Sequence, residues 1–215
     1  MRHPNKALRL YKADLFAAMA TEGFEATARR LNGEAQEHKA DVLLGYSLGG
    51  RVALHMLLEA RHMWRAAIIV AADSGFEDDG LRPARLKQDR RWGQRFLSED
   101  SEVVMADWDA QTVFAGFANP LPRASLDARR VALAFDALSK ARQRNLLPDL
   151  AKLSRPPILF ISGEHDLRYT DIGVKLSRQC PAIEHQVIAN SAHRVPWEQE
   201  EAFAEVVSAF LRVYG

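Results

Sequence analysis

One cysteine, Cys180, in 215 residues leaves no partner for an intrachain disulfide and no thiolate set for a zinc cluster. Its surroundings, Arg178-Gln-Cys-Pro181, have none of the features of a thiol active site, so a small structural thiol is expected. Long apolar runs are also missing. The longest, Ala66 to Ala72, is far too short to cross a bilayer, and the N-terminus has no hydrophobic signal core, which points to a cytoplasmic protein without membrane insertion. No charge of one sign dominates, since 29 basic and 28 acidic residues leave a formal net charge of +1. No global field therefore draws the chain to nucleic acid or an anionic membrane, and any anion it binds has to be captured locally. Repeats, low-complexity tracts and flexible linkers are absent, and neither a metal nor a cofactor is called for. What is present, 47% hydrophobic and 27% charged residues, is the balance of a soluble globular protein of one domain around one core.

Four short apolar runs read as buried strands: Asp41 to Tyr46, Ala66 to Ala72, Pro157 to Ser162 and Ile183 to Ala189. Three of them lack polar alternation, as parallel strands covered on both faces do. Amphipathic helical patterns lie around them, over Phe24 to about His38, Leu48 to about Glu59, Thr170 to Gln179 and Pro196 to Val213. The alternation predicts an α/β fold with a mostly parallel sheet and flanking helices. From about Glu77 to Leu147 only helical periodicity appears, which reads as a helical cap inserted into a single domain spanning 1–215 and packed on the sheet.

Gly45-Tyr46-Ser47-Leu48-Gly49 follows an apolar strand and opens a helical pattern. This is a nucleophile-elbow signature: the glycines let the strand turn sharply into the helix while Ser47 projects from the strand end. At the helix start the backbone N–H of Leu48 is placed to stabilise an oxyanion, aided by the helix dipole. A serine hydroxyl needs a base, and the elbow predicts the order serine, acid, histidine. Seven histidines compete. His193 sits past the fourth strand in a loop leading to the last helix, whereas His185 lies in a strand, His55 in a helix, and His165 beside the best acid. That acid is Asp166, directly after the third strand. Asp73, after the second, is its rival, and Glu164 a weaker one.

Two arginines are out of place. Arg51 stands in the first turn of the elbow helix, where the dipole disfavours a cation by about 0.3–1 kcal/mol, which suggests an anion nearby. In the cap, Arg85, Gln88, Trp92 and Phe96 share one helical stripe. Arg85 is then inward-facing, where a charge is costly unless a carboxylate meets it. Arg90 and Arg91 fall off that stripe and read as solvent-facing.

Taken together, these residues resemble the 2-succinyl-6-hydroxy-2,4-cyclohexadiene-1-carboxylate synthases of menaquinone biosynthesis, which have the α/β-hydrolase fold. The resemblance rests on Gly45-Tyr-Ser-Leu-Gly-Gly-Arg-Val-Ala53, on Arg82-Pro-Ala-Arg85 with Asp89-Arg-Arg-Trp92-Gly-Gln-Arg-Phe96-Leu97, and on Ala106-Asp-Trp108-Asp-Ala-Gln111-Thr-Val-Phe114. It continues more weakly to Gly163-Glu-His-Asp166 and Ala192-His193. It implies a catalytic triad of Ser47, Asp166 and His193 and a pocket lined by Tyr46, Arg51, Arg85, Trp108 and Arg123. The implied substrate is a small polycarboxylate, and the implied reaction is removal of a ring proton followed by loss of pyruvate, with no acyl-enzyme. Thr112 stands where the family has proline, Ala192 where a glycine precedes the histidine, and Trp197 where some members have a second histidine.

An esterase or thioesterase of the same fold is the competing reading, because elbow and triad serve acyl transfer equally well. A further expectation concerns the front of the chain. About 40 residues precede the elbow strand, and Met1 to Glu22 holds neither the earlier apolar strand nor the His-Gly loop of this fold; His3-Pro4 is a candidate remnant. The elbow strand should then be a sheet edge, self-associating or covered by residues 1–20, and the chain an N-terminally truncated, poorly soluble and nearly inactive form, or an inactive relative retained for binding. Oligomeric state is not set by the sequence.

Overall fold

In the computed structural model, which describes residues 10–119 and 127–214, the apolar runs form four parallel strands: β1 (Val42–Tyr46), β2 (Ala66–Val70), β3 (Ile158–Gly163) and β4 (Ile183–Ile188), hydrogen-bonded in that order. Two helices, α1 (Leu15–Ala18) and α2 (Phe24–Glu37), precede β1, and α3 (Leu48–Glu59) links β1 to β2. Between β2 and β3 the described residues contain no strand, only α4 (Arg82–Ser98), α5 (Ser101–Asp109), α6 (Ala128–Ala137), α7 (Leu147–Leu150) and short 3-10 turns. Then α8 (Leu167–Gln179) links β3 to β4, and α9 (Val195–Glu198) and α10 (Glu200–Tyr214) follow. No helix among the described residues is long and apolar enough to cross a membrane.

Every residue of β2 and β3 is buried, which is why their sequences show no polar alternation. Their side chains still alternate between two cores. Ala67, Ile69, Ile158 and Phe160 pack with Phe24 and Leu31 of α2 and Leu54 and Leu57 of α3. Ala66, Ile68, Val70, Leu159 and Ile161 pack with Phe203, Val206 and Phe210 of α10. Cys180 is buried in the first core, and burial raises its thiol pKa, as suits a packing residue.

Three expectations are corrected. The helix expected from Thr170 starts at Leu167, because the Asp166 side chain caps it by accepting from the Tyr169 N–H. The last helical pattern is two helices, broken at Gln199, whose backbone leaves helical geometry at φ −140°. On α4 the inward stripe carries Asp89, Gly93 and Phe96; Gln88 is exposed. β1 lies at the edge of the described sheet with Leu44 49% exposed. Of the residues expected to cover that edge, 10–20 include α1, which packs instead on α2 and α6; residues 1–9, with His3-Pro4, lie outside the described residues.

The turn from β1 into α3 is set by close backbone approach. Ser47 has φ 50° and ψ −113°, in a region side chains rarely occupy, and its N–H donates to the Val70 carbonyl at 2.9 Å. A Cβ on Gly45 would lie 2.7 Å from Ala53 Cβ, and one on Gly50 2.6 Å from Ala72 Cβ, whereas one on Gly49 would meet nothing within 4 Å. Steric need therefore falls on Gly45 and on Gly50, outside the five-residue motif, and not on Gly49.

His55 of α3 is buried and stacks on Phe24 with ring centroids 4.8 Å apart. Glu25 Oε1 lies 3.3 Å from its Nδ1, with half of that carboxylate side chain exposed. Burial, reinforced by Arg144 and Arg51, pushes the imidazole pKa down to about 3.

Gly50→Ala should cost about 1–3 kcal/mol of stability through overpacking, while Gly49→Ala should gain about 0.5–1 kcal/mol from helix propensity; urea unfolding distinguishes them, and equal effects would contradict the packing. His55 titrates near 6.5 in the unfolded chain but stays neutral in the folded protein until about 3. Acidification between those values therefore favours unfolding. From pH 7 to pH 5 the wild type should lose on the order of 2 kcal/mol more than His55→Phe; equal losses in the two proteins would contradict a neutral buried imidazole.

Candidate active site

In a parallel sheet all C-terminal strand ends lie along one edge, where ligands bind. Ser47 follows β1, Asp73 lies just past β2, Asp166 follows β3, and His193 stands in the loop after β4. The structure brings three of the four into one hydrogen-bonded run. His193 Nε2 is 2.9 Å from Ser47 Oγ, and His193 Nδ1 is 2.7 Å from Asp166 Oδ2. Asp166 and His193 are 2% and 5% exposed, so this run is shielded from competing water. With the Nδ1 proton directed at the carboxylate, Nε2 is left as the acceptor for the serine hydroxyl.

The loop that delivers His193 is fastened at several points. His165 N–H donates to the Ser191 carbonyl at 2.8 Å, Ser191 Oγ donates to Ile188 O at 2.9 Å, and Ala192 N–H donates to Glu198 Oε2 at 2.6 Å. Gly163 lies so near the Ala192 carbonyl that a side chain there would collide with it. With alanine at 192, His193 still reaches both partners.

Each rival is occupied elsewhere. Asp73 is buried, pairs with Lys140 and has Arg168 Nη2 at 3.4 Å. Glu164 Oε2 accepts from the Asn190 N–H at 2.9 Å and so shapes the turn before His193. His185 Nε2 is 2.8 Å from Ser162 Oγ, which in turn is 2.9 Å from Thr170 Oγ1. His165 stays at the surface beside Glu164.

Aromatic rings surround His193. Tyr169 lies at 4.8 Å, Tyr46 at 5.4 Å and Phe114 at 5.7 Å between centroids, and Trp197 meets the edge of Tyr46 at 5.0 Å. Burial raises the phenol pKa of both Tyr46 and Tyr169, so each stays protonated. Leu48 opens α3, and its side chain packs against the first core. Trp108 of α5 sits edge-on to Trp92 at 5.1 Å and to Phe135 at 5.5 Å, within the aromatic packing of the cap helices.

The out-of-place arginines find partners. Arg51 Nη1 donates to the Leu138 carbonyl at 3.1 Å, and its guanidinium lies 5.4 Å from the Phe24 ring centroid. Arg85 Nε donates at 2.8 Å to Asp89 Oδ1, while Asp89 Oδ2 accepts from Ser139 Oγ at 2.7 Å. The carboxylate demanded by the inward Arg85 is thus supplied by its own helix, one turn on. Lys140, held by Asp73, lies 4.0 Å from the Phe76 ring centroid, and its pKa is lowered by burial against the opposing pull of Asp73. Arg123 lies outside the described residues.

Lys140, Arg168 and Tyr169 were not among the residues singled out from sequence, and Phe114 entered only as the end of a motif, with no site role. Tyr169 was findable, since it falls one turn into the helix that Asp166 caps. Lys140 gave no local signal, because its role depends on Asp73, 67 positions away.

The sequence profile of the Alpha/beta hydrolase family matches residues 7–206. A 2-succinyl-6-hydroxy-2,4-cyclohexadiene-1-carboxylate synthase of Yersinia pseudotuberculosis serotype O:1b (strain IP 31758) is 33% identical over 204 residues, covering 90% of this chain and 72% of the relative; that of Yersinia pestis (strain Pestoides F) gives the same figures. Among solved structures, MenH from S. aureus superposes with a TM-score of 0.81 at 22% identity, over 89% of this chain and 76% of that one. A thermophilic esterase from Thermogutta terrifontis superposes with a TM-score of 0.69 at 21% identity, over 90% and 74%. Fold, profile and relatives agree: the chain belongs to the alpha/beta hydrolase family and, within it, to the family of the 2-succinyl-6-hydroxy-2,4-cyclohexadiene-1-carboxylate synthases.

Proposed function

We propose that this enzyme is a carbon–oxygen lyase of menaquinone biosynthesis that eliminates pyruvate from 2-succinyl-5-enolpyruvyl-6-hydroxy-3-cyclohexene-1-carboxylate. The observation that carries the reading is the Ser47–His193–Asp166 run, at 2.9 and 2.7 Å, in the same charged neighbourhood as the cations Arg51, Arg85, Lys140 and Arg168 and the carboxylates Asp73 and Asp89. These cations, clustered near the run in a nearly neutral chain, are the local means of capture that suits a substrate with several carboxylates. The names of the Yersinia relatives support the same reaction.

In this mechanism His193 Nε2 withdraws the Ser47 hydroxyl proton as Ser47 Oγ takes a proton from the substrate ring. The electron pair of that C–H bond becomes a new ring double bond, the existing ring double bond shifts by one position, and the ring carbon–oxygen bond to the enolpyruvyl group breaks, leaving the conjugated diene. The leaving enolate keeps the pair from the broken bond and gains a proton to become pyruvate. Asp166 stabilises the transient imidazolium, and no bond from Ser47 to carbon forms. The protein is thus assigned a soluble small-molecule activity, in the cytoplasm, with no cofactor.

Acyl transfer is the second reading, supported by the Leu48 N–H at the start of α3, placed as an oxyanion donor, and by the fold shared with the Thermogutta esterase. Pyruvate release from the enolpyruvyl substrate, set against thiol release from a simple thioester, separates the two. A protein that performs only the latter would refute the lyase assignment.

Ser47→Ala and His193→Ala should each lower kcat for pyruvate release at least about 100-fold, with the double variant little worse, because the two act as one proton-transfer unit. Additive losses would contradict that coupling. Arg85→Ala should raise KM for the polycarboxylate by roughly 10-fold to 100-fold, about 1.5–3 kcal/mol, with little effect on a neutral ester; an equal effect on both would mean that Arg85 serves only its bond to Asp89.

A further inference from the structure

We propose that Arg194 is a positioning residue for His193, held in place from the cap by Asp109 and Phe114. The inference rests on the proton-transfer role given to His193 above, but not on which substrate is processed. Arg194 follows His193 directly and is 3% exposed. Its backbone carbonyl accepts from the N–H groups of Trp197 at 2.9 Å and Glu198 at 3.0 Å. Glu198 in turn accepts from Ala192, on the other side of His193. The backbone of Arg194 thus closes the loop that presents the imidazole.

Its side chain leaves the sheet domain altogether. Nη2 donates to Oδ1 of Asp109, the last residue of α5, and the guanidinium carbon lies 3.7 Å from the Phe114 ring centroid. Asn119 Nδ2 approaches both oxygens of the same carboxylate at 3.3 Å. Phe114 completes the circuit, for its ring stands at 72° to the His193 ring with centroids 5.7 Å apart. One guanidinium therefore fixes both the loop below the imidazole and the aromatic wall beside it.

The arrangement has a cost that packing alone does not explain. A buried guanidinium loses hydration, and Arg194 Nη1 has no hydrogen-bond partner among the described residues. What the charge secures is orientation. Two hydrogen bonds fix the imidazole nitrogens, while rocking of the ring about the line joining them is opposed by the surrounding rings, Phe114 together with Tyr169 and Tyr46. Loss of the latch should slow proton transfer while leaving substrate capture, which falls to other side chains, nearly unchanged.

The test reads the His193 Nδ1 proton directly, as the far-downfield proton resonance expected for an imidazole N–H held by a buried carboxylate, assigned by its loss in His193→Ala. Wild type, Arg194→Met, Arg194→Lys, Asp109→Asn and Phe114→Leu are compared by this spectrum and by pyruvate-release kinetics. Arg194→Met and Asp109→Asn should broaden or abolish the resonance and lower kcat about 10-fold or more with KM within about 3-fold, and Arg194→Lys, which keeps a cation for Asp109, should recover most of the loss. If Arg194→Met does not fold, Asp109→Asn and Phe114→Leu decide the matter. An unchanged resonance and kcat in the folded variants, or a loss confined to KM, would overturn this inference alone. A wild-type protein without the resonance would overturn both it and the proton-transfer reading.

Discussion

The site depends on how closely the turn after β1 approaches the end of β2. Gly50 has no room for a side chain against Ala72, and the strained Ser47 is tied by its N–H to the Val70 carbonyl. That contact does two things at once. It lets α3 leave the sheet at the angle that packs Leu54 and Leu57 into the core, and it projects the serine hydroxyl toward the loop after β4. The strain is affordable only because β2 is buried along its whole length and cannot shift.

Electrostatics then sorts the acids that follow the strands. Asp73 and Asp166 are both buried carboxylates at adjacent strand ends, yet their partners differ: Asp73 faces Lys140 and Arg168, and Asp166 faces His193. A carboxylate already shared by two cations has little left to offer an imidazole, whereas Asp166 has no such cation among the described residues and faces the His193 ring. The helical segment between β2 and β3 contributes to both outcomes. It supplies Lys140 to Asp73, and it supplies Asp109 and Phe114 to the loop that carries His193. The charges and rings that this segment sends down thus constrain groups on the sheet.

The sequence by itself determined the four strands and the hydrogen-bonded run of Ser47, His193 and Asp166. Strands buried on both faces must be apolar throughout, a helix after a glycine-flanked serine must turn sharply, and an aspartate after one strand with a histidine after the next must meet at the same sheet edge; each of these is a local or topological consequence readable without coordinates. Even the inward Arg85 was legible as a charge in need of a carboxylate. Only the tertiary structure decided which carboxylate answered it, since Gln88 and Asp89 are neighbours on α4, about 100° apart around the helix axis, and packing exposes the first while burying the second. The same holds for Lys140 with Asp73 and for Arg194 with Asp109, pairs 67 and 85 positions apart. Long-range pairs of charge leave no periodicity in the chain. They exist because desolvation penalises any buried cation without a partner, and which partner is within reach is settled only when the helices have packed.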